Sequence, residues 1–399
     1  MSSSKDSYDL LLANGRVMCP AGGVDAVMDV AVKDGEIAAV APGLDAGAAV
    51  RVDCSGKIVT PGLIDSHVHV YTSAHGAMAT DDAGIFSGVT TVVDGGSAGY
   101  MTFDDLRIRD IENKHTDVYV YMNHNPLGQA IMPEIWAPSR FRMSYERLVE
   151  SIEANRRYVI GLKDRAVGTF VGCQGIKGVE RAKEICAKFN IPYIIHLGVD
   201  AVDEMPDYEL EVFTRELLGL MGKGDILAHV FTQKRGGIFR SDGKFDREIR
   251  AAYERGVYFD GCVGATNFSS ETFAIARERG FLPHTISTDI TTMSAKGPAK
   301  NFGVVMSKFL ALGMELKTVI EWVTSSAASI IGMADRKGSL AVGRQADITV
   351  SEVQTGDFQF LDRFGGKLFA GNQLFVPKLA FIKGKQFEVT HGGGPTLPE

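Results

Sequence analysis

Cysteine is scarce in this chain and follows no pattern. There are five in 399 residues, at Cys19, Cys54, Cys173, Cys186 and Cys262, with no Cys-x-x-Cys spacing. An odd, scattered set argues against a disulfide framework or a cysteine-rich zinc module and fits reduced thiols in a cytoplasm. No stretch of about 20 apolar residues is present, so no membrane span is expected. The opening residues MSSSKDSYD lack an apolar core, so no secretory signal is expected. Basic charge is also short: 42 Lys+Arg against 49 Asp+Glu leave a net charge of −7, with no electrostatic footprint for nucleic acid. No Gly-x-Gly-x-x-Gly follows the first strand, which removes the main support for an open dinucleotide-binding sheet. No internal repeat is visible, which excludes a solenoid.

Glycine, by contrast, is plentiful at 45, and the 13 prolines do not gather with it in low-complexity runs. That combination reads as many tight turns and element ends in a large α/β protein. Hydrophobic content of 45% and charged content of 23% are those of a globular chain long enough to bury a large core without staples.

Short β segments are expected at 10–17, 29–32, 37–40 and 50–54, with turns at Asn14-Gly15, Asp34-Gly35 and Ser55-Gly56. The far end repeats the pattern at 346–350, 367–369 and 379–382, with a turn at Lys383-Gly384-Lys385. Neither piece alone can cover its apolar face, so both termini are expected to build one small β-sandwich. Between them lie eight apolar, β-rich runs, at 58–64, 90–93, 118–122, 158–162, 193–195, 226–228, 257–259 and 285–287. Helix-compatible segments separate them, clearest at 145–156, 178–189, 209–220, 246–255 and 270–280, and weaker after Val68 and near 104–112. Alternating strands and helices over about 250 residues predict a (β/α)8 TIM-like barrel. The expected organisation is 1–60 and 341–390 for the sandwich, 61–340 for the barrel and 391–399 for a tail.

Barrel enzymes place their chemistry where the strands end. The first run ends in Asp65-Ser66-His67-Val68-His69, two imidazoles on one face of an extended strand. The fourth run ends at Lys163, the fifth at His196, the sixth at His229 and the eighth at Asp289. Each alone has a bland explanation: a satisfied core histidine, a lysine reaching water, an aspartate in a turn. Together, in order, they call for shared partners, and a metal centre supplies them. Arg165 lies two after Lys163 and could grip a substrate carboxylate. Tyr71 lies two after His69 and could line the pocket, and His124 ends the third run and could donate a hydrogen bond there. Tyr71 could equally serve packing, and for His124 a capping or loop role is the favoured reading. Cys262 follows the seventh run but has no histidine base beside it in sequence, so a thiol nucleophile is the weaker expectation.

The chain resembles the amidohydrolase superfamily of metal-dependent hydrolases over about residues 8–389. The motifs that carry the resemblance are Pro61-Gly62-Leu63-Ile64-Asp65-Ser66-His67-Val68-His69, Gly161-Leu162-Lys163, Ile195-His196-Leu197-Gly198, Ala228-His229, Ser287-Thr288-Asp289 and the closing stretch from Gly338 to Ile348. The likeness is strongest to the deacetylase, dihydroorotase-like branch. It implies two zinc-like divalent ions, the first held by His67, His69 and Asp289 and the second by His196 and His229. Lys163 would be carboxylated by CO2 and bridge them. Asp289 would take a proton from a metal-bound hydroxide precursor and pass it to the leaving group. The implied reaction is hydrolysis of a C–N bond in an N-acyl compound or cyclic amide that carries a carboxylate. Hydrolysis of an ester or lactone, and an inactive interaction protein, are the alternatives. The implied partner is a small-molecule substrate, with no nucleic acid or membrane and a homo-oligomeric state. Two departures matter. Tyr71 stands where dihydroorotases have an arginine, which disfavours dihydroorotate. The stretch from Phe259 to Asn267 lacks the histidine of the Asp-x-Gly-His-Gly motif common in the deacetylase-like proteins. The glycine-rich basic segment 231–238 is expected to be either a substrate loop or a plain connection.

Overall fold

The computed structural model describes residues 8–44, 47–130, 143–199 and 205–391. The expected tail lies outside them from Gly392 onward. The first strands are β1 (Tyr8–Cys19), β2 (Val24–Lys33), β3 (Glu36–Ala41), β4 (Ala48–Asp53) and β5 (Ile58–Pro61). Seven parallel strands follow: β6 (Leu63–Val68), β7 (Val89–Asp94), β8 (Asp117–Asn123), β9 (Val159–Arg165), β10 (Tyr193–His196), β11 (Ile226–Ala228) and β12 (Tyr258–Asp260). The chain closes with β13 (Ile348–Leu361), β14 (Leu368–Ile382) and β15 (Lys385–Glu388).

Both termini do share one structure, but its hydrogen bonds form a single eight-stranded sheet rather than two facing ones. The order is β15-β14-β13-β5-β1-β2-β3, with β4 also on β1. Its apolar residues, among them Leu12, Val30, Val59, Ile348 and Phe381, form a core cluster of their own. Asp34 and Gly35 take the left-handed backbone that a tight β2–β3 hairpin needs. Asn14-Gly15 makes no hairpin. Asn14 adopts positive φ inside β1, where the register with β2 slips, so the pair forms a bulge. The segments 367–369 and 379–382 are two ends of one strand, β14, paired with β13 in a long hairpin. The half of that hairpin next to its turn is partly exposed, so it carries no clear apolar run to announce it.

The expected first run, 58–64, is split. β5 joins the terminal sheet through β1 and β13, and β6 opens the parallel sheet. Gly62 is the joint: a Cβ there would lie 2.2 Å from Thr90 Oγ1, too close for any side chain. The parallel strands run in sequence order, β6 to β12, in one curled sheet. The eighth run forms no strand of its own. It makes isolated parallel bridges to both edges of that sheet, Asp260 with Thr285 and Val68 with Ile290. Its extended backbone stops at Asp289, whose φ of 49° is left-handed.

Helices occupy Tyr145–Ala154, Gly175–Phe189, Asp207–Leu220, Asp246–Glu254 and Ser270–Glu278, as the sequence pattern predicts. Ser144 and Ser269 cap two of them by accepting from the backbone N–H three residues on. Residues 103–111 hold only one short helix continued by a π-turn. Helices Phe302–Ala311, Leu316–Trp322 and Ser325–Ile330 follow the eighth run. The last packs its Ala327 and Ala328 against Ile64, Val93, Tyr121, Ile194 and Ile226 of the parallel strands. That apolar layer leaves the opposite, C-terminal ends of the strands for polar groups. No helix among the described residues is long and apolar enough to cross a membrane.

Candidate metal centre

Four imidazoles, a lysine and an aspartate meet at the C-terminal ends of the parallel strands. His67 and His69 leave β6, with ring centroids 5.6 Å apart. His67 Nε2 lies 3.2 Å from Lys163 Nζ and 3.8 Å from Asp289 Oδ1. His69 Nε2 is 2.9 Å from the same Asp289 oxygen, and its Nδ1 pairs with Ser97 Oγ at 2.7 Å. His196 ends β10 and His229 follows β11; their rings are 4.2 Å apart, and His229 Nε2 is 3.9 Å from Asp289 Oδ2. Asn267 Nδ2 donates to that oxygen at 3.2 Å. All six side chains are buried or nearly so.

The local sequence explains the fit. Gly95 and Gly96 follow β7, where a Cβ on Gly95 would sit 2.2 Å from His67 Cδ2 and one on Gly96 would sit 2.6 Å from Lys163 Cγ. Only bare backbone lets the imidazole and the lysine stem pass. His229 and Asp289 both hold left-handed backbone, φ 62° and 49°, an uncommon conformation that turns each side chain off its strand end and into the cluster. His229 Nδ1–H donates to the Cys262 carbonyl at 3.1 Å. A carbonyl can only accept, so the proton sits on Nδ1 and the lone pair on Nε2.

Electrostatics leave these groups ready for a cation. Burial drives the His67 and His196 imidazoles well below their ordinary range and takes His229 to about 3, so all three are neutral near pH 7. The Nε2 atoms of His196 and His229 are buried without a hydrogen-bond partner among the described residues. Burial raises the Asp289 carboxyl, but influences led by the His69 hydrogen bond outweigh it and hold the group well below the usual carboxylate range. Burial lowers Lys163 to about 8, which makes an uncharged amine accessible near neutral pH. A cation entering here displaces few protons.

Other polar groups support the cluster. Asp260, at the end of β12, lies 3.7 Å from His67 Nδ1, accepts from Ser287 Oγ at 2.9 Å, and is pushed up to about 8 by burial. Asp65 accepts from Thr288 N and Oγ1 and is pushed up to about 7 by burial. The strand-end rule that singled out Asp289 applies to Asp260 as well. Cys262 also belongs to the cluster: one ligand atom from each of His67, His229, Cys262 and Asp289 lies within 4.8 Å of the others.

A cavity of about 370 Å³ opens over His69, His196 and Asp289, and Arg165 lines it. Tyr71 and His124, expected beside it, are held elsewhere. The Tyr71 hydroxyl donates to Asp105 Oδ2 at 3.0 Å, because β6 ends at Val68 and the alternation from His69 does not carry on. His124 is fully buried, with Nδ1 3.1 Å from Asp164 Oδ2 and its ring against Tyr145. It occupies the opposite face from Asn123, whose amide reaches the Gly96 carbonyl. Lys234, Asn267 and His75 line the cavity although the sequence pattern assigned them no part in the site. Lys234 lies in the basic 231–238 segment and was detectable only as part of that charge cluster.

Such a cluster at the ends of parallel strands suits hydrolytic chemistry, and the chain's family and relatives assign that chemistry to C–N bonds. The chain belongs to the amidohydrolase family, whose model matches residues 58–387. It is 32% identical over 393 residues to a deacetylase of Brucella anthropi, covering 96% of this chain and 93% of that one. A deacetylase of Agrobacterium fabrum is 32% identical over 356 residues, 88% of this chain and 84% of that one. Among solved structures, an adenine deaminase superposes with a TM-score of 0.85 at 27% identity, covering 96% of this chain and 100% of its own. A dihydroorotase gives a TM-score of 0.83 at 28% identity, with coverage of 95% and 99%.

Proposed function

We propose that this chain is a metal-dependent hydrolase that removes a small acyl group from the nitrogen of a carboxylate-bearing compound, or opens a cyclic amide. The observation that carries this reading is the connected cluster of His67, His69, Lys163, His196, His229 and Asp289 beneath one cavity. The donors suit two divalent ions: neutral imidazole nitrogens, one anionic carboxylate and a buried amine that can capture CO2 as a carbamate. His67, His69 and Asp289 would hold one ion, His196 and His229 the other, and carboxylated Lys163 would bridge them. Bound divalent ions of the zinc type acidify water and polarise a carbonyl.

The chain's own residues then do the following. Asp289 accepts the proton of the attacking water and returns it to the leaving nitrogen. Asn267 orients the carboxylate through its hydrogen bond to Oδ2. Arg165, with Lys234 beside it on the cavity wall, offers positive charge to a substrate carboxylate. The deacetylase relatives favour a small acyl group. The scaffold is taken as a complete (β/α)8 barrel, with 285–290 as the eighth strand; its bridges to both sheet edges support this. The division into a terminal sheet unit from 1–60 and 341–390 and a 61–340 barrel, the homo-oligomeric state and the cytoplasmic location belong to the same proposal.

The test pairs metal analysis with Asp289→Asn. The wild type should carry up to two ions per chain and a mass on Lys163 increased by CO2. Asp289→Asn should lower kcat by about 10²–10⁴-fold. Retained metal with near wild-type turnover would exclude the proton role. A panel of N-acyl amino acids, cyclic imides and α-acyloxy acids identifies the bond cleaved. Preference for the α-acyloxy acids would move the assignment to an ester.

A further inference from the structure

We propose that Cys262 is a direct ligand of the metal centre, giving the ion held by His67, His69 and Asp289 a thiolate donor. This rests on the reading that the cluster holds metal, and goes beyond it by naming a sulfur ligand and the metal preference that follows.

Geometry carries the inference. The ligand atoms of His67, His229, Cys262 and Asp289 lie within 4.8 Å of one another. Donors sharing one tetrahedral zinc sit roughly 3.3–3.8 Å apart, from bond lengths of about 2.0–2.3 Å, so side-chain shifts of about 1 Å bring Cys262 onto an ion with His67 and Asp289. The direction of the thiol is fixed by backbone on both sides. Gly261 N–H donates to the Thr285 carbonyl at 2.9 Å and Val263 N–H to the Ser287 carbonyl at 3.1 Å. Cys262 lies two residues past Asp260, which ends β12 and lies 3.7 Å from His67. The cysteine also positions a second donor: its carbonyl holds the His229 Nδ1 proton, leaving the buried Nε2 lone pair without a protein partner. The thiol is 1% exposed and free, so no disulfide partner competes for the sulfur.

Binding would release the thiol proton as the sulfur–metal bond forms. A thiolate is a softer donor than imidazole or carboxylate, so it would favour zinc over manganese or magnesium. A cysteine here would therefore set metal identity.

The experiment uses the full chain, stripped of metal and reloaded with zinc alone or cobalt(II) alone. Zinc X-ray absorption should show a sulfur scatterer at about 2.3 Å. Cobalt(II) should give a thiolate charge-transfer band in the near ultraviolet. Both signals should vanish in Cys262→Ala and Cys262→Ser and persist in Cys173→Ser, which controls for the exposed thiol. Zinc affinity should fall at least about tenfold in the Cys262 variants, with manganese affinity changed less. Full zinc loading of the wild type with only nitrogen and oxygen neighbours would overturn the thiolate and leave the metal centre standing. A wild type that binds no ion would overturn both. If the Cys262 variants fail to fold, the wild-type zinc spectrum alone decides.

Discussion

Gly95 shows how much of this site depends on atoms that are absent. Its backbone runs against the His67 ring, and a methyl group there would lie 2.2 Å from Cδ2 and 2.3 Å from Nε2. Gly95→Ala should therefore move His67, lower metal affinity by about tenfold or more, and cost about 1–3 kcal/mol of stability through overpacking. Zinc titration and denaturant unfolding of the variant check this; wild-type affinity would mean that His67 has room to spare. The six residues of the cluster could be read from sequence because each stands within one to five residues of the end of an apolar run. Asp260 follows the same rule on β12 but was hidden, because no histidine marks that strand end, while Cys262 just beyond it was visible only as a weak candidate nucleophile. His124 failed for a simpler reason. It is one residue past Asn123, and one residue in a strand is the opposite face.

The helix Phe302–Ala311 carries a separate electrostatic burden. Its Lys308 is fully buried, with Nζ lacking a hydrogen-bond partner among the described residues. Burial takes its pKa from 10.5 to about 7, partly opposed by the charge of Asp362. Below about pH 7 the folded and unfolded lysines are both charged, and the full cost of burying the charge is present. Between about 7 and 10.5 the unfolded chain binds a proton that the folded chain does not, so stability rises with pH. The slope from this group is at most about 1.4 kcal/mol per pH unit. Lys308→Met should raise stability near neutral pH by at least about 1 kcal/mol and flatten that slope. Chemical denaturation at a series of pH values reads both, and an unchanged slope would show that Lys308 is solvated in the folded state. Elements with apolar alternation or clear caps, such as Ser270–Glu278 behind Ser269, were visible in sequence. The long β13–β14 hairpin was not, because its pairing is main-chain and its turn-side half is partly exposed.

At the scale of the whole molecule, side chains at the ends of β6, β9, β10 and β11 and in the 285–290 segment converge on one point, so ions bound there would tie together distant parts of the chain. Ligands that bind only the folded state stabilise it by mass action, by about 2.7 kcal/mol at a hundred times Kd. Chelation should lower the melting temperature by several degrees, and zinc should restore it, as scanning calorimetry would show. No change on chelation would mean that the ions, if bound, do not bridge strands. Taken by itself, the sequence determined the alternation of strands and helices, the ends at which histidine, lysine and aspartate stand, and the class of chemistry they suit. Those are local properties, set by hydrophobic period and residue type. Only the tertiary structure decided that both termini share one sheet, that residues 58–64 divide at Gly62 between two sheets, and that Asp260, Cys262 and Lys234 reach the site while Tyr71 and His124 turn away. Those outcomes depend on strand register, on left-handed turns and on space left by glycines, and each of these is fixed by packing between segments far apart in the chain.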